Sequence, residues 1–136
     1  MGPCTTLGLD ARRTDLDYPL LRKLVDEWRT MADNYFGDFY PLTDYSVEDA
    51  AWMAWQFNRP ETGESLVQAF RRPKSPRESI RLYLKGLDTD SGYSVRNIDE
   101  NKPCTMQGKD LMERGLLITI KDKPGAAVII IRKESS

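Results

Sequence analysis

The 136-residue sequence contains no histidine, only two cysteines and no long apolar run. Without an imidazole, Ser-His-Asp and Cys-His catalysis are excluded within the chain, and a transition-metal site is disfavoured. The longest apolar run, Ala126 to Ile131, is far shorter than the roughly 20 residues that cross a bilayer. We therefore predict no membrane span, no metal and no cofactor.

The sequence also lacks an excess of either charge, because 20 basic and 21 acidic residues leave a net charge of −1. This balance gives no electrostatic basis for binding nucleic acid. Four basic residues lie together in a proline-containing stretch, which we interpret as a solvated loop: Arg71, Arg72, Lys74 and Arg77. Cys4 and Cys104 form no CxxC pair, and two free thiols are favoured over a disulfide.

The clearest element is a helix predicted from Asp17 to Phe36, with Asp15 or Asp17 as its N-cap. Gly37 is expected to end it in a positive-φ conformation. Apolar residues recur at helical spacing, which makes the helix amphipathic: Leu20, Leu24, Trp28, Met31 and Tyr35. We interpret this stripe as a surface that faces the core, with a partner-binding surface as the alternative.

After Gly37 the apolar period changes from that of a helix to that of a strand. Strands are predicted at 38–42, 49–57, 65–71, 79–85, 93–98, 116–120 and 126–132, and one helical turn at 107–114. The strand at 49–57 is apolar on both faces and is expected to be covered on both. No long helices alternate with the strands, so the sequence predicts a mainly β fold. We expect an antiparallel β-sandwich of about six to eight strands preceded by one long amphipathic helix.

Residues that carry chemistry are few. Carboxylates cluster at 44–49 and 88–90, but both clusters fall in turns, where aspartate commonly bonds the local backbone. We therefore predict no catalytic residue. Most aromatic side chains are expected to pack the sheets, while Tyr40, Tyr45 and Trp52 are candidates for stacking on a sugar ring.

The first residues have a different organisation. Residues 5–9 resemble a strand, and a polar loop then leads into the helix, which makes one βα unit. With no parallel neighbour, such a unit indicates the last piece of a larger α/β barrel, whose loops line the active-site rim. Asp10, Arg12 and Arg13 are then candidate substrate-rim residues; an N-cap network for the helix explains them equally well. We divide the chain into a barrel-like unit at 1–36 and a β-sandwich at 37–136.

Several segments in order resemble the C-terminal part of melibiase-type (α-galactosidase-like) glycoside hydrolases: Tyr35 to Thr43, Trp52 to Phe57, Val67 to Arg72, Gly86 to Asp88, Gly108 to Met112 and Pro124 to Val128. The resemblance implies a β-sandwich that follows a catalytic (β/α)₈ barrel. The catalytic aspartates of that family lie on other barrel strands, and no stretch here matches them. The implied function is a non-catalytic accessory domain that packs on the barrel of its parent enzyme.

Two other functions stay open. A free-standing carbohydrate-binding module requires a solvent-facing row of aromatics, drawn from Tyr40, Tyr45, Trp52, Tyr83 and Tyr93. An interaction domain would dimerise through Leu20, Leu24 and Trp28. Self-association through this helix face is also expected of an accessory domain, because a barrel helix without its barrel has an uncovered apolar face.

Overall fold

The computed structural model describes residues 8–10, 12–100 and 102–134. Within these residues, eight strands form two antiparallel sheets, and one helix precedes them. This confirms the predicted fold class. Cys4 and residues 5–7 of the predicted first strand lie outside the described residues.

Helix α1 spans Tyr18–Met31 and continues as a 3-10 turn over Ala32–Phe36. A short second helix, α2, spans Gly108–Glu113. The strands are β1 Asp38–Pro41, β2 Trp52–Arg59, β3 Glu64–Arg71, β4 Ser79–Leu82, β5 Gly92–Asn97, β6 Cys104–Gln107, β7 Leu116–Thr119 and β8 Gly125–Lys133. The predicted strands were therefore right in number to within one, and β6 is the strand that was not predicted.

The large sheet has the strand order β1-β2-β3-β8-β5-β6, and the small sheet pairs β4 with β7. The last strand, β8, lies between β3 and β5 and joins the two halves of this open sheet. Register aligns Ala54, Ala69 and Ala127 across three neighbouring strands. These small side chains let the second layer approach closely, and buried residues such as Leu82 and Ile118 pack over them. The main core therefore lies between the two sheets.

The opposite face of the large sheet is only partly covered. Met31 and Tyr35, at the end of the helical segment, pack on Leu66 and Ile130 in a second buried cluster. On β2, this leaves the outer face half-buried, while Trp52 and the other residues of the inner face are buried. The prediction that β2 is covered on both faces is therefore correct for one face only.

Gly37 ends the helical segment for a different reason from the one predicted. Its φ is −77°, so the expected positive φ is wrong. A Cβ at this position would lie 2.5 Å from the carbonyl oxygen of Asn58. Glycine is needed because the chain passes directly against β2 as it enters β1.

Candidate functional site

Helix α1 extends away from the sandwich, and its first turns lack cover. Leu20 is 49% exposed and Leu24 is 36% exposed, although both belong to the predicted core-facing stripe. Trp28 is half-buried and packs against the second cluster. The stripe therefore faces the core only at its C-terminal end, which corrects the interpretation of the whole stripe as core-facing.

An apolar groove of about 600 Å³ runs beside the exposed half of α1. It lies between the segment that leads into the helix and the helix itself. Its apolar lining comes from Leu9, Leu16, Tyr18, Leu21 and Val25. Exposure of such apolar side chains to water costs free energy, at roughly 25 cal/mol per Å² of apolar surface. This surface, together with Leu20 and Leu24, is here called the open helix face.

The end of the helical segment is fixed to the sheet by a buried amide. Trp55 Nε1 donates to Gln68 Oε1 at 2.8 Å, and Gln68 Nε2 donates to the Tyr35 hydroxyl at 3.1 Å. Burial raises the pKa of Tyr35 above its usual value, so its hydroxyl stays protonated. The bridge is buried and attaches at Tyr35. It therefore orients the end of the helical segment and leaves the first turns of α1 free.

The substrate-rim candidates lie at the entry to α1 and are exposed. Arg12 pairs with both carboxylate oxygens of Asp10, at 3.0 Å each, and Arg13 pairs with Asp15 in the same manner. These hydrogen bonds lower the pKa of Asp10 and of Asp15. The Tyr18 hydroxyl also donates to the backbone oxygen of Arg13 at 2.7 Å. The network holds the loop against the helix, and the rim role stays a prediction.

The structure separates the three sugar-stacking candidates. Trp52 is only 8% exposed, and its indole Nε1 donates to the Arg77 carbonyl oxygen at 3.1 Å. Its ring therefore packs in the core with only a small exposed remainder, and the expectation of an open ring at Trp52 is wrong. Tyr45 is 92% exposed in the connection between β1 and β2. Tyr40 is half-buried opposite Gln56, four residues or about 13 Å along β2 from Trp52.

The basic stretch is solvated only in part, because Lys74 and Arg77 are exposed while Arg71 is buried. Arg71 is 3% exposed and donates to the carbonyl oxygens of Ile120, Lys121 and Ser75. The periodicity of β3 places Arg71 on the inner face, which the sequence interpretation overlooked. Each of these acceptors is a backbone group, so Arg71 holds two loops together.

Among the described residues, no three His, Cys, Asp or Glu side chains are arranged to hold a metal ion. Neither helix in the described part of the chain has the length and apolar character needed to cross a membrane. Cys104 is exposed at the start of the edge strand β6.

Comparison with known proteins gives a direct match for the sandwich. Residues 52–131, more than half of the chain, match the sequence profile of the Glycosyl hydrolase family 36 C-terminal domain. The chain belongs to this family. The match extends from β2 into β8 and thus includes both sheets of the sandwich.

Solved structures share the fold. The galactosidase domain of an alpha-galactosidase-sucrose kinase is 18% identical with a TM-score of 0.72, over 91% of this chain and 17% of that one. The alpha-galactosidase from Lactobacillus brevis is 19% identical with a TM-score of 0.72, over 94% of this chain and 18% of that one. A family 36 alpha-galactosidase from Geobacillus stearothermophilus, in complex with stachyose, is 23% identical with a TM-score of 0.72, over 93% and 17%. No curated protein sequence matches the chain.

The matched enzymes are much longer than this chain. At such identities the matches establish the fold, and the chain spans only 17% or 18% of the length of those three enzymes. The family 36 C-terminal domain and this small share fit an accessory domain of an α-galactosidase-like enzyme.

Proposed function

We propose that this chain is the non-catalytic C-terminal β-sandwich of an α-galactosidase-like glycoside hydrolase, and that it packs on the catalytic barrel through α1. The observation that carries this proposal is the open helix face in a family 36 C-terminal domain. The catalytic groups would lie on the barrel, and the sandwich would fix the last barrel helix in place.

The physical argument is the lack of cover on α1. The helix has 14 residues and is thus about 21 Å long, and only its last turn packs on the sandwich. Isolated helices of this length are marginal in water, and most helical stability in proteins comes from packing an apolar face. Burying a leucine contributes about 1.5–3 kcal/mol, so covering Leu20 and Leu24 would stabilise the helix substantially.

In this arrangement the entry to α1 would lie at the barrel rim. Asp10, Arg12 and Arg13 are at the end of the helix opposite the one that Gln68 anchors. They are exposed, and their guanidinium and carboxylate groups are already oriented by ion pairs. Oriented charges of this kind suit the pairing of sugar hydroxyls at a substrate entrance.

The open helix face is tested by replacing Leu20 and Leu24 together with lysine. The wild-type chain is expected to self-associate with rising concentration in sedimentation velocity, because its open face finds a second copy. The double variant is expected to sediment as a monomer with an unchanged far-UV spectrum. Leu117→Lys is the matched control, because this leucine is also exposed but lies on β7. A wild-type chain that is monomeric at every concentration would argue against an adhesive helix face.

The non-catalytic role is tested by an assay with p-nitrophenyl α-galactoside. The chain is expected to give no turnover. Turnover that persists through repurification and co-elutes with the chain would contradict the accessory role.

A free-standing carbohydrate-binding module is the second candidate function. Exposed tyrosines support it, with Tyr45 at 92% exposure and Tyr83 at 48%. A continuous aromatic row is absent from the described residues, because Trp52 and Tyr93 are buried in the core. Any sugar site must therefore be a local groove.

A further inference from the structure

A second groove, of about 640 Å³, lies on the sandwich between the β1–β2 connection and the segment that enters β4. One wall is formed by Asp44, Ser46 and Glu48. The other wall carries Arg77 and Tyr83, with Trp52 and Ile80 between the two walls. Volumes of about 300–1,000 Å³ are typical of sites for small organic ligands.

Tyr83 has the geometry of a platform in this groove. It follows β4 on the outward side and is 48% exposed, and no described residue bonds its hydroxyl. Behind it, Gly115 has a φ of +77°, and a Cβ there would lie 3.3 Å from Tyr83 Cδ1 and 2.9 Å from Arg81 Cγ. The ring thus rests against the backbone of Gly115 and has an exposed surface beside the groove.

Three charged groups in the groove are without protein partners. No hydrogen bond or ion pair within the described part of the chain involves the carboxylates of Asp44 and Glu48 or the guanidinium of Arg77. Nearby charges are used differently: Lys74 Nζ lies 3.1 Å from an oxygen of Asp49. The groove therefore offers free acceptors on one wall and free donors on the other.

Both walls are held in place by hydrogen bonds to the sheet. Ala54 N donates to Thr43 Oγ1 at 3.1 Å, which fixes the first wall. Trp52 Nε1 and Ser75 Oγ both donate to the Arg77 carbonyl oxygen, at 3.1 and 3.3 Å, which fixes the second. The ordering cost of binding is reduced when the binding groups are already positioned.

We propose that this groove binds a neutral saccharide, with one sugar face on Tyr83 and its hydroxyls paired with Asp44, Glu48 and Arg77. Aromatic faces bind the C–H side of a sugar ring, while charged groups make the stronger hydrogen bonds to hydroxyls. The two acidic side chains are balanced by Arg77 and Arg81, so an anionic or cationic ligand gains no net attraction. The site does not depend on the packing of α1 on a barrel.

The test is isothermal titration of the 136-residue chain with raffinose, maltotriose and cellotriose, and with trigalacturonate as the anionic comparison. Saturable binding of at least one neutral trisaccharide is expected, and trigalacturonate is expected to bind more weakly. Tyr83→Ala should weaken that binding by about tenfold or more, while Tyr83→Phe, which keeps the ring, should retain most of it. Tyr45→Ala is the matched control. This tyrosine is exposed and follows Asp44 in the sequence, but it does not line the groove.

The absence of saturable binding for all three neutral sugars would overturn the proposal. Binding that is unchanged in Tyr83→Ala, or lost in Tyr45→Ala instead, would overturn it as well. If Tyr83→Ala fails to fold by far-UV circular dichroism, Asp44→Asn combined with Arg77→Ala takes its place, because both side chains are exposed and unpaired. Retained binding in that double variant would then count against the groove. None of these outcomes bears on self-association through α1.

Discussion

Replacement of Arg71 by methionine tests whether a buried guanidinium holds two loops of the sandwich together. Arg71 Nη1 donates to the carbonyl oxygens of Ile120 and Lys121 at 2.8 and 2.7 Å, and Nη2 donates to that of Ser75 at 3.2 Å. Methionine fills a similar volume but donates no hydrogen bond. Because the three acceptors are backbone groups, the substitution leaves them without this donor.

Two opposing effects set the magnitude. Hydrogen bonds from a charged donor contribute about 1.5–3 kcal/mol each, but burial of the guanidinium at 3% exposure carries a desolvation cost. The nearest carboxylate oxygen, on Glu78, is 4.0 Å away and belongs to an exposed side chain, so it offsets little of that cost. Three buried acceptors left without their donor cost about 1–3 kcal/mol each, and removal of the guanidinium's desolvation cost offsets part of that sum, so we expect Arg71→Met to cost about 3–5 kcal/mol.

The assay is thermal and urea unfolding followed by circular dichroism and tryptophan fluorescence. At about 3 °C per kcal/mol for a domain of this size, Tm is expected to fall by about 10–15 °C. Arg71→Lys should recover part of the loss, since one ammonium can still reach a carbonyl oxygen. Arg96→Met is the control, because Arg96 is exposed on β5, and we expect a change within about 0.5 kcal/mol. A loss below about 1 kcal/mol for Arg71→Met would show that desolvation cancels the hydrogen bonds, and would refute the reasoning.

Two further predictions concern the helix anchor and the C-terminal strand. Gln68→Leu should lower the free energy of unfolding by about 2 kcal/mol, because it leaves the indole of Trp55 and the hydroxyl of Tyr35 without this partner. Urea unfolding followed by fluorescence measures this change. An unchanged urea midpoint would contradict the role of Gln68 as an anchor. Hydrogen bonds led by that of Lys133 Nζ lower the pKa of Asp88 to about 2, so its contribution to stability is present above pH 4 and is lost as pH falls from about 4 to 2. Asp88→Asn should therefore be less stable than wild type at pH 5, with a difference that shrinks towards pH 2. A constant difference across this range in urea midpoints would rule out that linkage.

Local sequence was enough for the elements whose own pattern matches their surroundings. The apolar positions of β2 and β3 match strands that the sheet buries, and α1 repeats at helical spacing with Asp17 as its cap. Asp17 Oδ1 accepts from Leu20 N at 2.9 Å, as the capping preference predicts. In each case the signal lies within a few residues of the element itself.

Long-range pairing decided the elements that sequence analysis missed or misread. The residues of β6 are largely exposed and show no apolar alternation, and this strand exists because Cys104 and its neighbours pair with β5. Arg71 is buried because strand register places it beside two loops distant in sequence. The groove at Tyr83 joins side chains about 40 residues apart from the β1–β2 connection and β4, and no local spacing reports such a meeting.

The sequence by itself determined the fold class, the amphipathic character of α1 and the likeness to a family of glycoside hydrolases. Its periodicity says that a helix has an apolar stripe, because spacing along the chain sets which side chains share a face. Only the tertiary structure decided that this stripe is covered at Tyr35 and open at Leu20, since cover depends on where the helix end is anchored to the sheet. It also decided that Trp52 lies in the core while Tyr83 faces a groove. Burial is set by the packed layers, so the exposures of these two aromatic residues follow from what lies over each of them.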